Sequence, residues 1–145
     1  MTTSKTPDYY YINKEKNLTV DKVLNNFAGG LNIWRSNVLK YSVRAFNKHS
    51  SPVACLDKAL RCVYLEEERE QDDIEKWNKH IIKHINLIKD FNIHKDMLNF
   101  QVFTNIEFEE YKKFLVEIYK WCAGLDNKKT IKELIQEQIN NNIND

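Results

Sequence analysis

LNIWRSNVLKYSVRAFNKH, residues 31–49, is the stretch that decides the fold. Placed on a helix at about 100° per residue, Leu39, Val43 and Phe46 share one side, with Val38 and Ala45 at its edge. Asn37, Lys40, Tyr41, Arg44 and Lys48 fall within an arc of roughly 100° on the opposite side. Such a stripe needs another apolar surface to cover it. The helix is bounded upstream by Gly29-Gly30 and downstream by Ser50-Ser51-Pro52, where the residue before proline avoids the helical region.

The same logic extends outward. Residues 1–18 are polar and tyrosine-rich, and read as an extended lead-in. A first helix is expected from about Thr19 to Gly29-Gly30. After Pro52, a long helix opens at Val53 with Leu56, Leu60 and Val63 on one stripe. Ile74, Trp77, Ile81, Ile85 and Ile88 form a second stripe. Between them, the acidic stretch Glu66 to Asp73 is compatible with a continuing helix or with a hinge. Residues 91–106 look irregular, with a short strand expected at Phe100-Gln101-Val102-Phe103. Phe108, Tyr111, Leu115, Ile118 and Cys122 mark a further helix ended by Gly124. Thr130 and Glu133 have the capping-box spacing and open a last helix through Ile131, Leu134 and Ile135. The run Asn140-Asn141-Asn142 is expected to fray. The expectation is all-α: residues 1–145 form a single compact helical domain of about five helices, with one short strand.

Composition bounds the function. A chain of 145 residues, 42% hydrophobic and 30% charged, can bury a core and is not of disordered type. Twenty-two Lys and Arg against 21 Asp and Glu leave a net charge of +1, which disfavours general nucleic-acid binding and makes any basic function local. No apolar run approaches the ~20 residues that span a bilayer, so no membrane partner is expected. The start, Met-Thr-Thr-Ser-Lys-Thr-Pro, lacks the apolar segment of a signal peptide. Cys55, Cys62 and Cys122 are odd in number and form no Cys-x-x-Cys pair, which suits buried, reduced thiols of a cytosolic protein.

The polar side of the 31–49 helix is the chemically pointed feature. Like charges one turn apart destabilise a helix by a few tenths of a kcal/mol per pair, so Lys40, Arg44 and Lys48 persist more readily against an anion. Arginine offers a planar fork to phosphate oxygens, lysine a point charge, and Asn37 and Tyr41 neutral hydrogen bonds and a ring. A simple solvated basic face would carry the same residues. Asn37-x-x-Lys40-Tyr41-x-x-Arg44-Ala45, Lys48, Leu56-Asp57-Lys58-Ala59 and Tyr64-Leu65, preceded by Pro7-Asp8-Tyr9-Tyr10, together narrow the choice. Over residues 7–67 this order and spacing resembles a family of small bacteriophage proteins, the SaV-like or phage nucleotide-kinase-like proteins. The matching segment reaches to about residue 70; residues 71–145 form an unmatched helical extension.

The resemblance implies a phage protein of the host-cell cytoplasm that binds (deoxy)nucleoside phosphates and forms homo-oligomers. Lys40 and Arg44 would hold phosphate, Asn37, Tyr41 and Tyr10 would position the nucleotide, and Lys48 would extend the rim. It also implies phosphoryl transfer, although the chain has no Gly-x-x-x-x-Gly-Lys-Ser/Thr loop. Two positions depart from the family pattern: Tyr9 stands where the family has histidine, and Ser36 where it has glycine. A phenol keeps its proton through neutral pH and is a poor substitute for imidazole in proton transfer. A non-enzymatic reading therefore stands beside the kinase-like one: a binder that sequesters a nucleotide or a cyclic-nucleotide defence signal.

Three other constellations are weaker. Glu67, Glu70 and Asp73, with Glu66 one turn before Glu70, resemble the Mg²⁺-binding carboxylates of all-α nucleotide pyrophosphohydrolases, and equally a solvated acidic face. His80 and His84 have metal-pair spacing without a third ligand. Trp34, just ahead of Asn37, either stacks on a base or seals the core. A protein-binding role for the C-terminal helices also remains open.

Overall fold

The structure, a computed structural model, describes residues 7–27, 33–48, 51–71 and 88–143, with only the backbone of Lys48, Glu70 and Gln71. Among these residues the chain is mostly helical, as the periodicity implied. Six α-helices are described: α1 Val20–Asn25, α2 Ile33–Lys48, α3 Val53–Gln71, α4 Phe91–Met97, α5 Glu109–Cys122 and α6 Ile131–Asn142. Single 3₁₀ turns cover Asp8–Tyr10 and Phe100–Val102, and a two-stranded antiparallel sheet joins β1 Tyr11–Asn13 to β2 Leu18–Thr19. Gly29-Gly30, the Ile74–Ile85 part of the second apolar stripe, His80 and His84 lie outside the described residues.

Helix α2 is central. It packs along α3 on one side and α5 on another, while α6 lies against α3. Its buried positions, Arg35, Val38, Leu39, Ser42, Val43 and Ala45, follow the helical period. Trp34 is partly buried and packs against the core. In α3 the buried line runs through Cys55, Leu56, Ala59, Cys62, Val63 and Glu66, and the helix continues through the acidic stretch to Gln71.

The termini of the elements follow their capping chemistry. Thr19 Oγ1 accepts from Lys22 N at 3.3 Å and Thr130 Oγ1 from Glu133 N at 3.2 Å, each tying down an otherwise orphan helix-start amide. Helix α5 ends in a Schellman motif. Gly124 takes φ 78°, Gly124 N donates to Trp121 O at 3.1 Å and Leu125 N to Lys120 O at 2.8 Å.

Three expectations need correction. The strand expected at 100–103 is a 3₁₀ turn, because the Asn99 side chain accepts from Gln101 N at 3.0 Å and curls the backbone. The strands lie instead in the lead-in, where Asn13 Oδ1 accepts from Lys16 N at 3.0 Å and Asn17 takes φ 51° to turn the chain. The run Asn140–Asn142 does not fray: Asn142 is buried, donates to Gln138 O at 2.7 Å and accepts from Tyr111 Oη at 3.1 Å.

The most unusual core feature is ionic. Glu66 is wholly buried and Arg35 is 2% exposed. Glu66 Oε1 accepts from Arg69 Nε at 2.7 Å and lies 2.6 Å from Arg69 Nη2, while Oε2 stands 3.9 Å from Arg35 Nε. Arg35 also donates from Nη1 to the carbonyl of Trp121 and lies 4.0 Å from the Trp121 ring centroid. The neighbouring Cys122 thiol, entirely enclosed, donates to Arg35 O at 3.6 Å, and burial pushes its pKa up to about 12.

Two predictions follow from these contacts. Glu66→Ala leaves Arg35 buried without its carboxylate, and urea unfolding should show a loss of about 3–5 kcal/mol. Joint replacement of Arg35 and Glu66 by Met and Leu should recover most of it. The second prediction concerns His94, whose Nδ1 shares a 2.7 Å hydrogen bond with the buried Tyr119 hydroxyl. Burial lowers the His94 pKa below its ordinary value, so the unfolded chain takes up the proton first on acidification. This contribution to stability is present above the ordinary histidine range and is lost as pH falls below it. The urea midpoint of the native protein should therefore drop more steeply between about pH 7 and pH 5 than that of His94→Gln.

Candidate functional site

The polar side of α2 is where the sequence placed it. Val38, Leu39 and Val43 are buried, whereas Asn37, Lys40, Tyr41 and Arg44 are half-buried on the other side. Lys48 belongs to the last turn of α2, and its side chain lies outside the described residues.

This face is not open to solvent along its whole length. The 3₁₀ turn Asp8–Tyr10 packs on α2. The Arg44 guanidinium is 5.1 Å from the Tyr9 ring centroid, and Lys40 Nζ is 5.8 Å from that of Tyr10. Both are within the ~6 Å reach of a cation–π contact. The two rings meet edge to face, with centroids 4.6 Å apart. From the neighbouring helix, Lys58 Nζ on α3 sits 5.7 Å from the ring of Tyr41. Two stretches some 30 residues apart in sequence, Pro7–Tyr11 and α2, therefore form one patch of alternating rings and cations.

The electrostatics of Arg44 are the sharpest element. Burial opposes its charge, yet a hydrogen bond with the Tyr10 side chain, together with nearby Tyr9, Tyr10 and Cys55, outweighs that and raises its pKa above the ordinary arginine value. Arg44 Nε is shielded from solvent and has no hydrogen-bond partner among the described residues. Asn47, one turn beyond Arg44, donates from Nδ2 to both Tyr9 O and Tyr11 O at 3.3 Å, and so ties the turn to the helix. A cation with an unused N–H, beside a second cation and flat aromatic surfaces, can donate to a phosphate oxygen and offer a surface to a base.

The other sequence candidates are not brought together in this way. Glu67 Oε2 is taken by Lys132 Nζ at 3.0 Å, and the Glu70 side chain and Asp73 lie outside the described residues. Among the described residues no cluster of three or more His, Cys, Asp or Glu is arranged to hold a metal ion. The carboxylate with the most distinctive surroundings is Glu66, which is turned inward.

Residues missed by the sequence reading are Asn47 and Lys58 as parts of the face, and Tyr9 as the ring over Arg44. Hollows lie elsewhere: one of about 340 Å³ beside Phe100, Phe114 and Leu134, and one of about 370 Å³ beside Trp121 and Thr130. Volume alone does not make them better candidates. At the second, the lining residues Lys129 and Glu67 are engaged by Glu137 and by the neighbouring Lys132, whereas the α2 face carries Arg44 with an unused donor. Among the described residues no helix is long and apolar enough to cross a membrane. Comparisons with protein families, with curated proteins and with solved structures gave no match.

Because Lys132 occupies Glu67, replacing that carboxylate should not alter metal binding. Titration of Mg²⁺ to millimolar concentration should shift the melting temperature of Glu67→Gln and of the native protein equally. A loss of an Mg²⁺ effect in the variant would restore the carboxylate reading.

Proposed function

We propose that this protein binds a nucleoside phosphate on the polar face of α2, with Lys40 and Arg44 on the phosphates and Asn37, Tyr41 and Tyr10 positioning the nucleoside. The observation that carries this reading is the approach of Tyr9 and Tyr10 to Arg44 and Lys40 while Arg44 Nε keeps an unused donor. The motif resemblance supports it from a separate direction, because its two halves, Pro7–Tyr10 and Asn37–Arg44, meet in space. On that resemblance the protein is a phage nucleotide-kinase-like protein, acting in the host cytoplasm as a homo-oligomer.

Binding without turnover is the reading the residues favour. The position at which the family carries imidazole holds Tyr9, whose ring lies over Arg44 and which brings no imidazole to proton transfer. A kinase-like reaction would need Mg²⁺ and another proton acceptor near the same patch. Sequestration of a nucleotide or a nucleotide-derived signal needs only the grip.

Calorimetric titration with dADP should detect binding to the native protein. Lys40→Ala and Arg44→Ala should each weaken it roughly tenfold to a hundredfold, the range for losing a hydrogen bond to a charged group. Incubation with deoxynucleoside monophosphates, a triphosphate donor and Mg²⁺, followed by denaturation and mass spectrometry, should return every nucleotide unchanged. Phosphorylated product would establish the kinase-like alternative at the same site.

A further inference from the structure

We propose that Asn47 is a positioning residue that makes the α2 face selective for nucleotides over inorganic phosphates, by strapping Tyr9 and Tyr10 across the two cations. This rests on the reading of that face as a phosphate site.

The bonding of Asn47 is one-sided. Its Nδ2 serves two carbonyls of the same short segment, Tyr9 O and Tyr11 O, each at 3.3 Å. Its Oδ1 is shielded from solvent and has no hydrogen-bond partner among the described residues. A buried acceptor left unpaired is unfavourable, so stability alone does not explain an amide here; its donor end does the holding. The segment it holds has a firm base. Tyr11 is paired with Thr19 in the sheet, Asn105 Nδ2 donates to Tyr11 O at 3.2 Å, and Tyr10 N donates to Pro7 O at 3.0 Å. Replacing Asn47 therefore leaves β1 anchored through Thr19 and Asn105 while removing the tie at Tyr9.

The rings lie on the cations that phosphate would use. In the strapped arrangement Tyr9 covers Arg44 and Tyr10 covers Lys40. A bare phosphate must displace these contacts and offers nothing to the displaced rings. A nucleotide offers its base to the same rings, and stacking on a base replaces what the cations gave up. The strap thus penalises small inorganic anions more than nucleotides, by the fraction of time the face is uncovered.

The experiment compares the native protein with Asn47→Leu, which is close in shape and has no donor, and with Asn47→Gln, which keeps one. Tyr9→Leu provides a second route to the same uncovered state. Three readings are taken: the ring resonances of Tyr9 and Tyr10 in tyrosine-labelled protein without ligand, and affinities for pyrophosphate and for dADP. The expected result is that Asn47→Leu shifts both tyrosines toward solvent-exposed values while core methyl resonances stay in place. Pyrophosphate binding should tighten about tenfold, with dADP within about threefold of native. Asn47→Gln should return toward native, and Tyr9→Leu should also tighten pyrophosphate. Unmoved tyrosine resonances in Asn47→Leu would overturn the strap. Equal changes for pyrophosphate and dADP would overturn its role in selectivity. Failure of both ligands to bind any of the proteins would overturn the phosphate reading itself, a result distinct from the ligand-free resonances.

Discussion

The buried carboxylate of Glu66 and the guanidinium of Arg35 set the arrangement on which the rest of the structure depends. Ions of this kind lose several kcal/mol of hydration each on burial, so they persist only where their partners are well placed. Arg35 meets three helices at once. It belongs to the first turn of α2, faces Glu66 on α3 at 3.9 Å, and hydrogen-bonds the carbonyl of Trp121 in the last turn of α5 while covering that ring. A helix C-terminus is the negative end of the dipole and suits a cation. Arg69 completes the neutralisation of Glu66 from the half-exposed side. Turning Arg35 inward also fixes the rotation of α2 about its axis. Lys40 and Arg44 then project toward Pro7–Tyr11.

Asparagine performs a related task at the periphery. The helices leave gaps where chain segments pass each other without a sheet, and amides bridge them. Asn26 accepts from Asp90 N at 2.9 Å and donates to Asp90 O at 3.0 Å, so the end of α1 and the start of α4 are joined as if by a strand pair. Asn127 donates to the Glu117 carbonyl at 2.9 Å, and Asn142 links the end of α6 to Tyr111. Asn47 belongs to this group but differs in leaving one of its own polar atoms unpaired. An amide placed only to close a gap would be expected to satisfy both ends.

Helix positions were legible because burial leaves a period in the sequence. Leu39, Val43 and Phe46 fixed α2, Leu56, Leu60 and Val63 fixed α3, and Thr19 and Thr130 announced helix starts through their side-chain chemistry. The same period, continued, reaches the two buried ions: Arg35 lies seven residues before Ser42, and Glu66 three residues after Val63. They were not read as core because a charged residue is taken for surface unless its partner is known, and that partner is distant in sequence. The lead-in and the 100–103 segment were misread for a different reason. Asn13 and Asn99 set the backbone locally through side-chain hydrogen bonds: the first turns β1 back toward β2, and the second curls residues 100–102 against their β-propensity. In the candidate site, the cations and Tyr41 were visible on the helical wheel. Asn47 was not, since an amide bound to carbonyls 36 and 38 residues upstream obeys no spacing rule.

The distribution of partners explains how a nearly neutral chain can keep a usable basic face. Lys113, Lys120, Lys129 and Lys132 are within ion-pair distance of Glu109, Glu117, Glu137 and Glu67. The cations of the α2 face are set against tyrosine rings: Arg44 with Tyr9, Lys40 with Tyr10 and Lys58 with Tyr41. The difference is one of exchangeability. A carboxylate against Arg44 would compete with phosphate for the same donors, charge for charge. A ring holds a half-exposed cation by roughly 0.5–1 kcal/mol, enough to order the side chain and to tax an incoming anion, but less than a competing carboxylate would. Neutral aromatic partners therefore keep cations aligned without a competing charge, and Arg44, though hydrogen-bonded to the Tyr10 side chain, keeps Nε unused. That combination, more than an excess of positive charge, distinguishes this face from the paired lysines elsewhere on the molecule.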